Sequence, residues 1–84
     1  MKIVWDEPKR QRNLRERGLD FADLNLEFFA KSAVLGARDG RLKAIGEFQG
    51  LVLAVIFKRL GTEAISVISM RRADRKERKR HGQA

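Results

Sequence analysis

The sequence predicts a small α+β domain on two observations. The N-terminal part carries helix signals, including a proline in a first turn, a glycine stop and apolar residues spaced three to four apart. From Ser32 onward, apolar residues instead form strand-length stretches between turns that contain glycine. Because these connections are short, we expect a small antiparallel sheet of four to five strands, with two N-terminal helices packed on it and a C-terminal helix.

The 84 residues are expected to form a single domain over 1–84, with 82–84 as a disordered tail. The absence of cysteine excludes disulfides and thiolate metal sites, and a single histidine argues against a structural zinc or haem centre. We therefore expect no metal and no cofactor. The longest apolar run, Leu51 to Phe57, is too short to cross a bilayer, and no secretory signal is visible. We expect a cytoplasmic protein with no membrane partner.

The first elements are a short strand and a polar helix. Lys2 to Trp5 alternates polar and apolar residues, as a strand does. Asp6 is a suitable N-cap and Pro8 fits a first turn, so a helix is predicted over about Glu7 to Arg17, before Gly18.

One face of this first helix carries a polar row of Lys9, Asn13 and Arg17, spaced four residues apart. From the spacing alone, a solvated face is the simplest interpretation of the row. A binding surface is the alternative.

A second helix is predicted over about Phe21 to Ala30, capped by Asp20. Phe21, Leu24 and Phe28 form one apolar stripe, which is more typical of a core than of a binding surface.

Four strand-like stretches follow, with turns at Asp39-Gly40, Gln49-Gly50 and Gly61. Leu51 to Phe57 is apolar at almost every position, which favours a central strand covered on both faces. Part of the sheet is expected to present a concave face to a ligand. Arg72 to about Arg80 predicts a third helix, weak unless packed or bound because it lacks an apolar stripe.

The charge balance indicates a polyanionic partner. Nineteen Lys and Arg residues oppose eleven Asp and Glu, giving a net charge of +8. Such a field attracts nucleic acid, anionic lipid or an acidic protein, although charge alone can also serve only solubility.

Several residues could carry chemistry on a polyanion. Arg41, Arg59 and Arg71 lie at strand ends, where arginine can hold a phosphate bidentately. Glu77 precedes His81 by one helical turn, and a neighbouring carboxylate favours an imidazolium able to donate a proton. A metal-free ribonuclease needs to orient the RNA 2′-hydroxyl, neutralise charge and protonate the leaving oxygen. His81 can equally be a solvated residue at a frayed end, so the residues alone establish a small basic α+β domain that binds a polyanion.

Three segments resemble one family in the order in which they occur. They are "VWDEPKRQRNLRERGLDF", "RLKAIGEFQGLVLAVIF" and "SVISMRRADRKERKRH". Together they are similar to the BrnT toxins, the ribonuclease halves of type II toxin–antitoxin pairs. The resemblance implies a RelE-like fold and an endoribonuclease that inhibits translation by cleaving RNA. It also implies neutralisation by a BrnA-like ribbon-helix-helix antitoxin, with operator DNA contacted only through that antitoxin.

The resemblance and the charge pattern together define the candidate site. The candidate catalytic residues are Arg71, Arg41, His81 and Glu77. The candidate RNA-binding residues are Lys9, Asn13, Arg17, Arg59 and Arg72.

The sequence departs from the family pattern at four positions. Arg17 replaces a histidine, Glu16 a lysine, Ser66 an arginine and His81 a tyrosine. A degenerate module that binds antitoxin or nucleic acid without cleaving is therefore the alternative function. A peripheral membrane-binding peptide domain is a weaker one, because the last helix lacks an apolar face.

Overall fold

The computed structural model describes residues 1–82, which form five strands, three α-helices and two 3₁₀ turns. The strands are β1 (Lys2–Trp5), β2 (Ala33–Gly36), β3 (Leu42–Phe48), β4 (Leu51–Leu60) and β5 (Ala64–Arg72). The helices are α1 (Glu7–Arg17), α2 (Leu26–Lys31) and α3 (Arg75–Gly82), and the 3₁₀ turns span Phe21–Asp23 and Arg38–Gly40. The predicted α+β class is confirmed.

The strands form one sheet in the order β1-β5-β4-β3-β2. Strands β2 to β5 make the predicted antiparallel meander, and β4 lies in the middle as its apolar run predicts. The prediction of a wholly antiparallel sheet is wrong for β1, which pairs in parallel with β5 from Lys2↔Ala64 to Trp5↔Val67. Alternation identifies a strand but carries no information about its direction, which depends on the edge it joins.

The predicted second helix is wrong as a single element. Its two ends form separate pieces, the 3₁₀ turn at Phe21–Asp23 and α2, with extended backbone at Leu24 and Asn25 between them. Each piece has its own cap, because Asp20 accepts from the Ala22 N–H and Asn25 accepts from the Phe28 N–H. The apolar stripe nevertheless stays buried, since both pieces press it against the sheet.

The core lies on one face of the sheet, which we call the core face. Phe21 is fully buried there, and Phe29 meets Phe28 and Phe57 edge to face, with ring centroids 5.3 and 5.1 Å apart. The remaining buried members of this cluster are Leu24, Ala44, Leu53, Val55, Ile65, Val67 and Met70. Burying each phenylalanine contributes about 1.5–3 kcal/mol, and the prediction that the stripe is core is confirmed.

The opposite face carries α3, and we call it the α3 face. Strand alternation places Lys43, Ile45, Ala54, Ile56 and Arg71 on it, opposite the core cluster. Helix α3 contacts β3 and β4, so β4 is covered on both faces as predicted.

Helix α3 begins at Arg75, not at the predicted Arg72. Arg72 remains in β5 because the ladder with β4 continues to the pair Leu53↔Arg72. Gly82, predicted as part of a tail, is the last residue of α3. The rest of that predicted tail, residues 83–84, lies outside the described residues.

Candidate active site

Arg71, Glu77 and Lys43 form a charged cluster on the α3 face, which we call the Glu77 cluster. Arg71 donates from Nη1 to Glu77 Oε1 at 2.7 Å and from Nη2 to Oε2 at 2.9 Å. Lys43 Nζ donates to Glu77 Oε2 at 2.8 Å. The Glu77 side chain is 7% exposed, whereas those of Arg71 and Lys43 are 28% and 26% exposed. The carboxylate is therefore buried beneath two partly accessible cations.

Three elements position this cluster. Lys43 extends from β3, Arg71 from the end of β5, and Glu77 from the first turn of α3. Asp74 sets the helix start, because its Oδ1 accepts from the Glu77 N–H and Glu77 Oε1 accepts from the Asp74 N–H, both at 2.8 Å. This reciprocal capping box gives a helix without an apolar stripe a defined first turn.

The cluster is charged at neutral pH. Hydrogen bonds from Arg71, then from Lys43 and the Asp74 backbone, lower the pKa of Glu77 to about 2 against its burial. The same carboxylate raises the pKa of Arg71. With two cations around one carboxylate, the cluster retains a net positive charge that can attract a phosphate.

Lys43 is the member that the sequence prediction missed. Its neighbours Leu42 and Ala44 have side chains on the core face, so alternation places the Lys43 side chain on the opposite face. A charged residue within an otherwise apolar strand was the signal that could have identified it. The pattern D-x-x-E at Asp74 and Glu77 was the corresponding signal for the start of α3.

Arg41 has an unused donor near the same face. It directly precedes Leu42 in extended conformation, so alternation places it on the side of Lys43. Its Nε is buried and has no hydrogen-bond partner among residues 1–82.

Arg59 and Arg72 lie on the other face. Arg59 is opposite Ile65 in the ladder and Arg72 is opposite Leu53, and both partners belong to the core cluster. Residues directly opposite in an antiparallel pair share a face. The structure therefore does not bring these two predicted RNA-binding residues to Arg71 and Lys43.

Lys9 and Arg17 border a cavity of about 210 Å³ between α1 and the end of β5. Arg12, Glu16, Ile68 and Ser69 complete its lining together with Asn13. Ser69 lies two residues before Arg71 on the α3 face, so this cavity and the Glu77 cluster lie at the same end of β5.

Asn13, also predicted to bind RNA, has an internal role. It is buried, donates from Nδ2 to the Leu19 carbonyl at 2.9 Å and accepts from the Met70 N–H at 3.2 Å. Strand β1 ends its pairing with β5 at Val67, so the amide takes the place of a strand partner for Met70. The nitrogen and the oxygen of the Asn13 side-chain amide thus both form hydrogen bonds within the protein.

The expected pairing of Glu77 with His81 is wrong. Glu77 Oε1 accepts from Arg71 and from the Asp74 N–H, and Oε2 accepts from Arg71 and Lys43. Within residues 1–82 no hydrogen bond joins Glu77 to His81. His81 is half-buried near the end of α3. Arg71 binds the carboxylate instead, with a planar fork that matches both Glu77 oxygens.

No group of three His, Cys, Asp or Glu side chains in the described range 1–82 is arranged to hold a metal ion. In the same range, no helix is both long and apolar enough to cross a membrane.

Comparison with known proteins decides the family. A family model described as the ribonuclease toxin, BrnT, of type II toxin–antitoxin systems matches residues 5–77. This chain belongs to the BrnT family. The family assignment confirms the resemblance predicted from three sequence motifs. A type II system pairs a toxin with an antitoxin, so BrnT membership implies an antitoxin protein partner.

A solved BrnT structure is similar over most of this chain. The crystal structure of the Brucella abortus ribonuclease toxin, BrnT, is 59% identical and superposes with a TM-score of 0.84. The superposition covers 89% of this chain and 99% of that one. No curated protein matches the sequence. The match to the BrnT family model ends at Glu77, so it includes the whole Glu77 cluster and stops short of His81.

Proposed function

We propose that this chain is a metal-independent endoribonuclease toxin that inhibits translation. The observation that carries the proposal is the Glu77 cluster, in which Arg71 is held bidentately beside Lys43 on a partly accessible face. Membership of the BrnT family supports the toxin part of the proposal. A toxin that acts on translation would work in the cytoplasm.

The proposed reaction is attack of an RNA 2′-oxygen on the adjacent phosphorus, which forms a 2′,3′-cyclic phosphate and breaks the bond to the 5′-oxygen. The 2′-hydroxyl proton passes to water, and the leaving 5′-oxygen takes up a proton. Negative charge accumulates on the phosphoryl oxygens in the transition state, and Arg71 and Lys43 would stabilise it. Glu77 would act as a positioning residue, because a carboxyl with a pKa of about 2 is ionised at neutral pH and has no proton to give. Two fixed cations can do this work without a metal ion, and residues 1–82 offer no cluster of metal ligands.

The RNA would extend over the basic side of α1. Lys9 and Arg17 border the same cavity as Ser69, which lies two residues before Arg71 on the α3 face, so they would bind phosphates flanking the cleaved one. Arg41, which is partly exposed on the side of Lys43, would add a further cation. Arg59 and Arg72 have no part in this proposal, since they lie on the core face.

His81 remains the candidate for protonating the leaving oxygen. It is the single histidine of the chain and lies one turn beyond Glu77 on α3. In this proposal it acts without a carboxylate partner.

We further propose that a BrnA-like ribbon-helix-helix antitoxin neutralises the toxin and alone contacts operator DNA. The net charge of +8 supports an acidic partner.

The deciding experiment is RNA cleavage by the purified chain in the presence of EDTA. We expect the parent to cleave, Arg71→Lys and Arg71→Ala to lose cleavage, and Arg75→Ala, an exposed control on α3, to retain it. Circular dichroism of each variant separates lost chemistry from lost folding. If the parent binds RNA but leaves it intact, the chain is a binding module that has lost catalysis.

A further inference from the structure

A groove of about 930 Å³ runs between the edge strand β2 and α3. Ala33, Leu35 and Ile45 form an apolar part of its lining. Its α3 wall is basic, with Lys76, Lys79 and Arg80 at i, i+3 and i+4, on one side of the helix. The groove therefore combines an apolar floor with a cationic wall.

The groove is bordered by an unprotected sheet edge. Strand β2 lies at the end of the sheet, and no strand within residues 1–82 pairs with its outer side. Its four residues, Ala33 to Gly36, include neither a charged residue nor a proline, which are the usual means of blocking an exposed edge. The backbone of β2 can accept a further strand.

The charge of the groove selects an acidic occupant. Lys43 joins the three cations of α3, and the acidic members of the lining are Asp74 and Glu77. Glu77 is already neutralised by Arg71 and Lys43, and Asp74 caps the helix. Within residues 1–82 the groove lining has no further carboxylate to balance Lys76, Lys79 and Arg80. Carboxylates on an incoming segment could therefore pair with these three cations.

We propose that this groove is where the antitoxin docks, through an extended segment of alternating apolar and acidic residues that adds to β2 as a sixth strand. One side of such a strand faces the apolar floor, and its carboxylates face the α3 wall. The inference rests on the proposed function, because it takes the antitoxin as the partner. RNA would use neither the apolar floor nor the backbone edge, and a second copy of this chain would bring another net charge of +8.

Docking there would act on the candidate active site. Lys43 and Glu77 belong to both the groove lining and the Glu77 cluster. An inserted segment would cover the cluster from the side of α3, so RNA and the segment would compete for Lys43.

The test uses the full chain and a fluorescein-labelled peptide of about ten residues in which valine and glutamate alternate. We expect saturable binding with increased amide-exchange protection at Ala33 to Gly36. The triple variant Lys76→Glu, Lys79→Glu, Arg80→Glu should bind at least roughly tenfold more weakly. The matched control, Lys2→Glu, Arg15→Glu, Arg59→Glu, carries the same charge change on exposed residues outside the groove and should bind within a few-fold of the parent.

Two further probes separate strand addition from general charge attraction. A peptide with glycine in place of valine keeps the charge and should lose affinity with the apolar contact. Peptides N-methylated at alternate residues, in the two possible registers, should behave differently, because only one edge of an added strand pairs with β2.

Equal weakening by both triple variants, or protection outside β2, would overturn the docking proposal. Protection of β2 by an oligoribonucleotide, or a dimer paired through β2, would assign the groove to another occupant and overturn it as well. Cleavage of RNA is measured separately on the same preparations. Cleavage without peptide binding defeats the docking proposal alone, whereas peptide binding without cleavage defeats the proposed ribonuclease.

Discussion

Arg71 and Glu77 are joined by two parallel hydrogen bonds of 2.7 and 2.9 Å, which tie the end of β5 to the first turn of α3. The same bond pair orients the candidate catalytic arginine and anchors a helix that has almost no apolar side chains. The geometry of the candidate active site and the position of α3 therefore share one carboxylate.

Replacing Glu77 should destabilise the fold. Glu77→Gln leaves two partly buried cations without a counter-charge, and we expect the free energy of unfolding to fall by about 3 kcal/mol. Urea denaturation measures this change. Glu16→Gln, at an exposed position of α1, is the matched control and should change stability by less than about 0.5 kcal/mol. Equal effects of both substitutions would show that the cluster does not stabilise α3.

Acid should weaken the protein in a defined pH range. The pKa of Glu77 falls from 4.5 to about 2 on folding, so its ionised form stabilises the native state above pH 4.5. This contribution is lost as the pH falls from 4.5 toward 2. The difference in unfolding free energy between the parent and Glu77→Gln should shrink over that range, which urea titrations at several pH values measure. A difference that stays constant with pH would contradict the assigned charge state. Because other carboxyls titrate in both proteins, the difference isolates Glu77.

RNA cleavage should depend on the planar guanidinium of Arg71 as well as on its charge. Arg71→Lys keeps the charge but cannot bind Glu77 and a phosphate in the same planar geometry, so we expect RNA cleavage to fall by about a hundredfold or more. Lys43→Met should lower the cleavage rate by about tenfold or more while the Arg71–Glu77 bonds remain. Single-turnover rates at saturating RNA measure both, with Arg75→Lys as the control. Wild-type rates in Arg71→Lys would remove Arg71 from the mechanism.

Substitutions of Asn13 and Lys9 should affect different properties, folding stability for Asn13 and RNA affinity for Lys9. Asn13→Ala leaves the Met70 N–H and the Leu19 carbonyl without their partner, and we expect a loss of about 2 kcal/mol in stability. RNA affinity should be unchanged where the variant is folded. Lys9→Ala, at an exposed position of the same helix, should lower RNA affinity and leave stability unchanged. The reverse pattern would restore Asn13 to the RNA-binding surface.

Gly46 should not tolerate a methyl group. A Cβ built there would lie 2.5 Å from Ser32 Oγ and 3.2 Å from Phe28 Cε1. Gly46→Ala should cost about 2 kcal/mol of stability through overpacking, measured by thermal denaturation. Gly36→Ala meets open space and is the control. Adding Ser32→Ala to Gly46→Ala removes the nearest atom and should recover part of the loss; no recovery would place the strain elsewhere.

Much of the fold followed from local patterns. Strand-length apolar runs between glycine turns predicted the meander, and the phenylalanine stripe predicted the core face. Both predictions succeeded because the spacing of buried side chains can be recognised within a short stretch of sequence. The second helix was mispredicted because Asn25, a cap in the middle of the stripe, offers the backbone an alternative to continuing the helix.

The family, the basic charge and most of the strands were determined by the sequence by itself. The pairing inside the site was decided only by the tertiary structure. Glu77 was predicted to lie beside His81, four residues away on its own helix. It instead accepts a hydrogen bond from Lys43, 34 residues away in the sequence. Helical spacing states which side chains can be neighbours on one element. Which element covers which face of the sheet, and therefore which cations reach a buried carboxylate, depends on packing of the whole chain.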